Sequence, residues 1–193
     1  MNPRIVLASR SPRRVELLRQ IGIEPEVMPA DIDEAVLTGE TASDYVLRLA
    51  REKAAAIAAI CPEAIVLSAD TAVVLGEQIF GKPESADHAA EMLQALSGET
   101  HQVLSAVAVC CQGRCMSRVV DSRVTFRVLE AAEIDRYWAT GEPEDKAGAY
   151  AIQGLGAVFV ESIEGSYSAI MGLPLHETSE LLADCGIKVL WGI

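Results

Sequence analysis

The sequence predicts a mixed α/β fold. Short apolar strands alternate with amphipathic helices in the first half of the chain, and two long strands joined at Gln112-Gly113 form a hairpin mid-chain. Apolar residues make up 50% of the 193 residues. That is enough for one domain over 1–193 with a well-buried core, or for two small lobes around a cleft.

Residues 4–8 read as a strand and 12–21 as a helix, with Val15, Leu18 and Ile21 on one face. Ser11 suits its N-cap, Pro12 its first position and Gly22 its stop. Residues 23–28 make a second short strand, followed by an acidic loop, Asp31-Ile32-Asp33-Glu34. Thr41 opens a helix with Asp44 at the capping-box position, and Pro62 stops it after Ile60. The β-branched run 64–68 is a buried strand that ends at Ala69-Asp70-Thr71, with 72–75 continuing extended. Gly76-Glu77 is a turn and Gly81-Lys82-Pro83 closes the region. Ser85 caps a helix to Leu96, with Gly98 behind it. Strands follow over 102–110 and 115–127, then a helix over 131–140 ended by Gly141. Residues 145–155 are Gly-rich and irregular, 157–163 a strand, and Pro174 or Leu175 opens a last helix to Asp184. The stretch 141–156 is the candidate hinge.

The net charge of −12 argues against a nucleic-acid polymer as partner. Residues 1–19 hold five arginines against Glu16, a net +4, so the remaining 174 residues carry −16. Arg13 and Arg14 fall in the first turn of a helix, where the dipole disfavours cations, and a bound anion is the usual compensation. A compact polyanion such as a nucleotide suits a small basic site in an acidic body. No apolar run reaches ~18 residues, so no membrane-spanning helix is expected. Only five residues separate Arg4 from Arg10, so no signal peptide is expected. Five cysteines, an odd number, argue for free thiols and a reducing, cytoplasmic setting. Cys110, Cys111 and Cys115 have poor zinc spacing and no nearby His, so they read as small apolar residues. His88, His101 and His176 are scattered, which suits surface or capping roles.

Asp70 lies where α/β proteins place their ligands, and its carboxylate suits metal binding, proton acceptance or a plain Asx cap. Glu34 is the candidate second acid. Lys53 reaches inward to an anion or snorkels outward. Lys82, between Gly81 and Pro83, is held as a point charge. There is no P-loop, no GxGxxG after a strand and no HExxH. A nucleophile at Ser9 or Ser11 lacks a His partner by spacing.

Taken together, the segments LASRSPRRVELL (7–18), DIDE (31–34), LAREKA (49–54), SADTAVV (68–74), GKP (81–83), LSGETHQV (96–103), DKAGAYAIQGLGAVFV (145–160) and GLPL (172–175) resemble the Maf family of nucleoside triphosphate pyrophosphatases. They span almost the whole chain. The resemblance implies an inosine triphosphatase-like fold: an elongated mixed central sheet with flanking helices and two lobes around a cleft. It implies cleavage between the α- and β-phosphates to a nucleoside monophosphate and pyrophosphate. Asp70 matches the family's catalytic carboxylate and Glu34 its second acid, both implied ligands of a divalent cation, Mg²⁺ or Mn²⁺. Ser9, Arg14, Lys53 and Lys82 match its phosphate-contacting set. Arg13, Thr71 and Gln153 match positions that mark the branch similar to dTTP/UTP pyrophosphatases, with modified pyrimidine nucleotides as a further candidate class.

The expected partners are therefore a nucleoside triphosphate and, among macromolecules, at most a second copy as a homodimer, with no nucleic acid and no membrane. The alternative from another class is a nucleotide-sensing regulatory protein linked to cell-division arrest, which would bind nucleotide tightly without turnover. The paired acids argue for turnover, since a pure anion binder would avoid them.

Overall fold

The computed structural model describes residues 4–189. Among them, seven strands form one mixed sheet in the order β2-β1-β3-β5-β6-β7, with β4 paired to β3. The elements follow one another as β1 (Ile5–Leu7), α1 (Pro12–Gln20), β2 (Glu26–Val27), α2 (Ala42–Ile60), β3 (Ile65–Leu75), β4 (Gln78–Phe80) and α3 (Ala86–Leu96). Then come β5 (Thr100–Cys111), β6 (Arg114–Phe126), α4 (Ala131–Trp138), β7 (Val160–Glu164), α5 (Tyr167–Ile170) and α6 (Leu175–Asp184). β1 runs parallel to both β2 and β3, while β4 and β7 are antiparallel to β3 and β6. The expected mixed α/β sheet with flanking helices is what forms.

Three local details differ from expectation. β3 does not end at Asp70. It pairs with β1 over Ile65–Leu67 and with β4 over Val73–Leu75, so ladders on either side hold Asp70 inside an 11-residue strand. The strand expected over 157–163 begins only at Val160, because Leu155–Phe159 winds into a 3-10 helix. Ser11 occupies the N-cap of α1, but its side chain makes no cap bond. Ser9 Oγ accepts from the Ser11 N–H instead, at 3.2 Å. The other expected caps form: Thr41 accepts from the Asp44 N–H, and Ser85 from that of His88. Gln112 and Gly113 both take positive φ, 50° and 76°, as a two-residue hairpin turn requires.

The chain divides into two compact units. The first takes in the chain up to Asp70, Ser105–Val120 and the segment from Gly172 onward. Its buried apolar side chains include Leu7, Leu18, Leu49, Leu67, Val107, Leu181 and Leu182. Four cysteines expected to be free are paired here, Cys110 with Cys115 and Cys111 with Cys185; Cys61 stays free and buried. Neighbouring residues on a strand face opposite ways, so Cys110 finds its partner across the hairpin and Cys111 after α6. In a reducing compartment such pairs stand as dithiols.

The second unit takes in Thr71–Leu104 and Asp121–Met171. Its core gathers Phe80, Leu93, Leu96, Phe126, Ile134, Tyr137, Tyr150 and Phe159. His101, expected at the surface or in a cap, is 1% exposed in this unit. Its ring lies edge-on to Phe126 and Tyr150, with Nε2 2.9 Å from the Tyr150 hydroxyl and Nδ1 without a partner among the described residues.

Burial holds the His101 pKa down to about 4, against 6.5 for the free side chain. Between those values the unfolded chain binds the extra proton. This contribution is therefore intact above the unfolded value and is lost as pH falls through the window. Going from about pH 7 to about pH 5 should cost about 2 kcal/mol through this residue. Urea midpoints at the two pH values should drop less in His101→Gln than in the native chain. Equal drops would place the acid sensitivity on carboxylates instead.

Candidate active site

In the first unit, β1 stops at Leu7 while its parallel neighbour β3 runs on past Leu67. The chain leaving β1 carries Ser9, and Asp70 lies three residues beyond the last β1–β3 pair. α1 supplies Arg14, whose Nη1 donates to Ser9 Oγ at 3.0 Å and whose Nε donates to the Gly172 carbonyl at 2.8 Å. The two predicted anion-binding residues are thus bonded to each other.

α2 supplies Lys53. Its buried stripe is Val46, Leu49, Ala50, Lys53, Ala54 and Ile57, a helical repeat with one cation in it. The choice left open by the sequence resolves inward: Lys53 is 8% exposed. Its Nζ donates to Asp70 Oδ1 at 2.8 Å and meets Glu34 Oε1 at 3.0 Å. Ser68, two residues before Asp70 on the same face of β3, donates to the Ala50 carbonyl of α2. Burial pushes the Asp70 pKa up, while the Lys53 and Arg14 charges oppose that and Glu34 adds to it. Burial also lowers the pKa of Arg14, which Asp70 partly offsets.

Glu34 sits on an irregular loop, with its side chain about half exposed. Sequence reasoning missed what holds that loop. Tyr45 donates from its hydroxyl to the Glu34 carbonyl at 3.1 Å. Arg48 donates to the Ala35 carbonyl at 3.0 Å and grips Glu40 through two bonds of 2.6 and 2.8 Å. The Arg48 guanidinium holds the Glu40 carboxyl down to about 2. The available signal was Tyr45 and Arg48 one turn apart on α2, a spacing that puts them on one face.

Ser9, Arg14, Glu34, Lys53 and Asp70 are therefore brought together within the first unit. Arg13 is half-buried beside Arg14 on α1, and its charge lowers the Arg14 pKa. Thr71 follows Asp70 along β3, so its side chain faces the opposite side of the sheet. Lys82 and Gln153 belong to the second unit. Lys82 is exposed on the loop after β4 and makes no side-chain bond to another described residue. Gln153 is exposed in a turn closed by the Gly154 N–H on the Ala151 carbonyl at 3.2 Å, and its amide likewise has no bonding partner among the described residues.

Beyond the end of parallel strand β1, this mixed α/β sheet thus gathers a buried carboxylate, an ammonium and a guanidinium. The chain belongs to the Maf family: the family description Maf-like protein matches residues 4–185. A relative from Anaeromyxobacter dehalogenans (strain 2CP-1), named dTTP/UTP pyrophosphatase, is 55% identical over 99% of this chain and 98% of its own. Relatives of the same name from Pseudoalteromonas atlantica and Chromobacterium violaceum are 52% and 53% identical. They cover 93% and 96% of this chain, and 95% and 96% of their own lengths. A solved structure titled the structure of the Staphylococcus aureus Ham1 protein aligns with a TM-score of 0.44 at 17% identity, over 65% of this chain and 72% of that one.

Removing one partner of a buried ion pair leaves the other charge uncompensated. Lys53→Met should therefore cost about 3 kcal/mol of folding stability. Adding Asp70→Asn to Lys53→Met should recover most of that loss, because the residue-70 side chain is then no longer a buried charge without its partner. Urea unfolding of both single variants and the double variant measures the coupling. Simple additivity would mean that Asp70 and Lys53 are not paired in solution.

Proposed function

We propose that this chain is a nucleoside triphosphate pyrophosphatase acting on dTTP and UTP, releasing the monophosphate and pyrophosphate. The observation that carries the reading is the Lys53 ammonium shared between Asp70 and Glu34, beside Arg14 on Ser9. The full-length relatives' common name gives the substrate. Water adds to the α-phosphorus, the bridging oxygen leaves with pyrophosphate, and Asp70 takes a proton from the water. Burial favours that role by making the carboxylate more basic than usual. Arg14, Lys53 and Lys82 carry the triphosphate charge and Ser9 adds a hydroxyl, so catalysis rests on positioning and charge neutralisation.

The residues present also fit a divalent cation. Asp70 and Glu34 already converge on one cationic nitrogen, and Mg²⁺ is ordinarily held by one or two carboxylates together with substrate phosphates. Mg²⁺ or Mn²⁺ held by this pair would neutralise charge on the phosphate oxygens. A cytoplasmic location belongs to the same proposal, since the substrate pool is there. Among the described residues, no helix is long and apolar enough to cross a membrane.

Gln153 is proposed to read the base, with Arg13 and Thr71 as the accompanying specificity positions. Its amide offers a donor and an acceptor, which match the carbonyl and N3–H of uracil or thymine. Its lack of a partner among the described residues leaves both available.

With dTTP and a divalent cation, Asp70→Asn should turn over roughly 10²-fold more slowly or worse while still releasing pyrophosphate rather than phosphate. Near-native turnover would remove Asp70 from the reaction. Across dTTP, UTP, CTP and GTP, the native chain should favour the first two, and Gln153→Glu should narrow that lead. A native preference for GTP, or an unmoved ranking in the variant, would mean the base is read elsewhere.

A further inference from the structure

The turn that presents Gln153 is anchored on both sides by side chains that the reaction does not use. Before it, the Ala151 N–H donates to the Tyr137 hydroxyl at 3.0 Å. Behind it, the N–H groups of Leu155 and Gly156 donate to Glu142 Oε2 and Oε1 at 2.9 and 3.0 Å. The Tyr137 hydroxyl itself donates to Glu142 Oε1 at 2.7 Å, which closes the network. Tyr137 is fixed in turn by α4 and by edge-on packing against Phe159, with ring centroids 4.9 Å apart. Lys146 Nζ donates to the Glu142 carbonyl at 2.8 Å. All of these groups lie in the second unit.

The glycines around Gln153 fit this network. A Cβ on Gly154 would overlap Glu142 Oε2, so a side chain there would evict the carboxylate. Gly154 has a negative φ of −114°, and the space beside it favours glycine. A Cβ on Gly156 would meet the Tyr137 hydroxyl at 2.7 Å and the Ala151 carbonyl at 2.9 Å. Burial alone would raise the Glu142 pKa. The Leu155 N–H, the Tyr137 hydroxyl and the Gly156 N–H outweigh it and leave the group below the usual carboxylate range. A charged, fully engaged acceptor therefore sits under the turn that presents the exposed Gln153.

We infer that Glu142 and Tyr137 are positioning residues for base selection: their network fixes the turn that aims the Gln153 amide. The inference rests on Gln153 reading the base, as proposed above. A side chain that selects by paired hydrogen bonds must be held to a fraction of an ångström, and a loosened turn lets wrong bases fit while costing the right one.

The test is the ratio of kcat/KM for dTTP to that for CTP in Glu142→Ala, Tyr137→Phe, Gly154→Ala and Gln153→Glu, with melting temperatures alongside. Glu142→Ala and Gly154→Ala should each lower the ratio by about tenfold, and Tyr137→Phe by less. In the Glu142→Ala background, Gly154→Ala should change little further, because the carboxylate it evicts is already gone. A purely structural role would lower both substrates in proportion and leave the ratio unchanged. If Glu142→Ala fails to fold, Gly154→Ala and Tyr137→Phe carry the test alone. An unchanged ratio in folded variants, with Gln153→Glu still altering it, overturns the inference and spares the base reading. An unchanged ratio in Gln153→Glu overturns both.

Discussion

The buried Lys53 ammonium is the constraint on which the first unit depends. Its position on the stripe of α2 would suit a leucine by packing alone. Taking a cation out of water costs several kcal/mol unless acceptors meet it. Asp70 on β3 and Glu34 on an irregular loop do so at 2.8 and 3.0 Å. Three segments far apart in sequence must therefore find one another before the charge is satisfied. The Ser68 bond to the Ala50 carbonyl joins two of them a step away, and the Arg48 and Tyr45 bonds tie down the third. An interaction of this kind adds little net stability against an apolar substitute, but it strongly penalises any arrangement that leaves a partner alone. It acts as a specification of geometry, and the geometry it specifies is the proposed site.

The second unit solves a different problem by different means. Its Gly-rich stretch buries Ala149, Tyr150 and Ile152 in the core, and backbone N–H groups beside them still need acceptors. A carboxylate and a phenol supply them, and the glycines make room for both. The lack of a side chain at Gly154 and Gly156 is thus what lets the carboxylate and the phenol reach the turn. The expectation of a hinge there arose from glycine content alone. The hydrogen bonds around Ala151–Gly156 describe a turn held at both ends.

Local signals were legible wherever one short pattern decides the outcome. Thr41 and Ser85 mark helix starts because a hydroxyl acceptor at the N-cap needs no distant partner. Gln112-Gly113 marks the hairpin because the turn demands positive φ at both positions. β3 was misread at Asp70, since a polar residue inside a strand is tolerated only through ladders that the local sequence does not display. β4, α5 and the 3-10 helix over Leu155–Phe159 are too short to show a period. The cysteine pairs and the burial of His101 are tertiary facts with no local mark. The proposed site residues rest on residue type and motif. Their supports, Tyr45, Arg48, Tyr137 and Glu142, do not, because a supporting residue is defined by what it touches.

The net charge also bears on how an acidic protein would take a polyanion. At −12 the whole molecule repels a triphosphate, but at physiological salt that field is screened within roughly 8 Å. Long-range steering therefore cannot supply the affinity, and short-range contacts must. In the first unit, Arg14 and Lys53 sit in partly or fully desolvated positions, where each charge acts through a lower effective dielectric than on the surface. Both are already engaged, by Ser9 and Gly172 in one case and by two carboxylates in the other. The cations are thus kept in position at little desolvation cost still to be met on binding. A site that is near neutral at rest can share its cations with a phosphate, provided that the carboxylates then find a cation of their own. That requirement is a physical reason, independent of any relative, for the divalent cation proposed above.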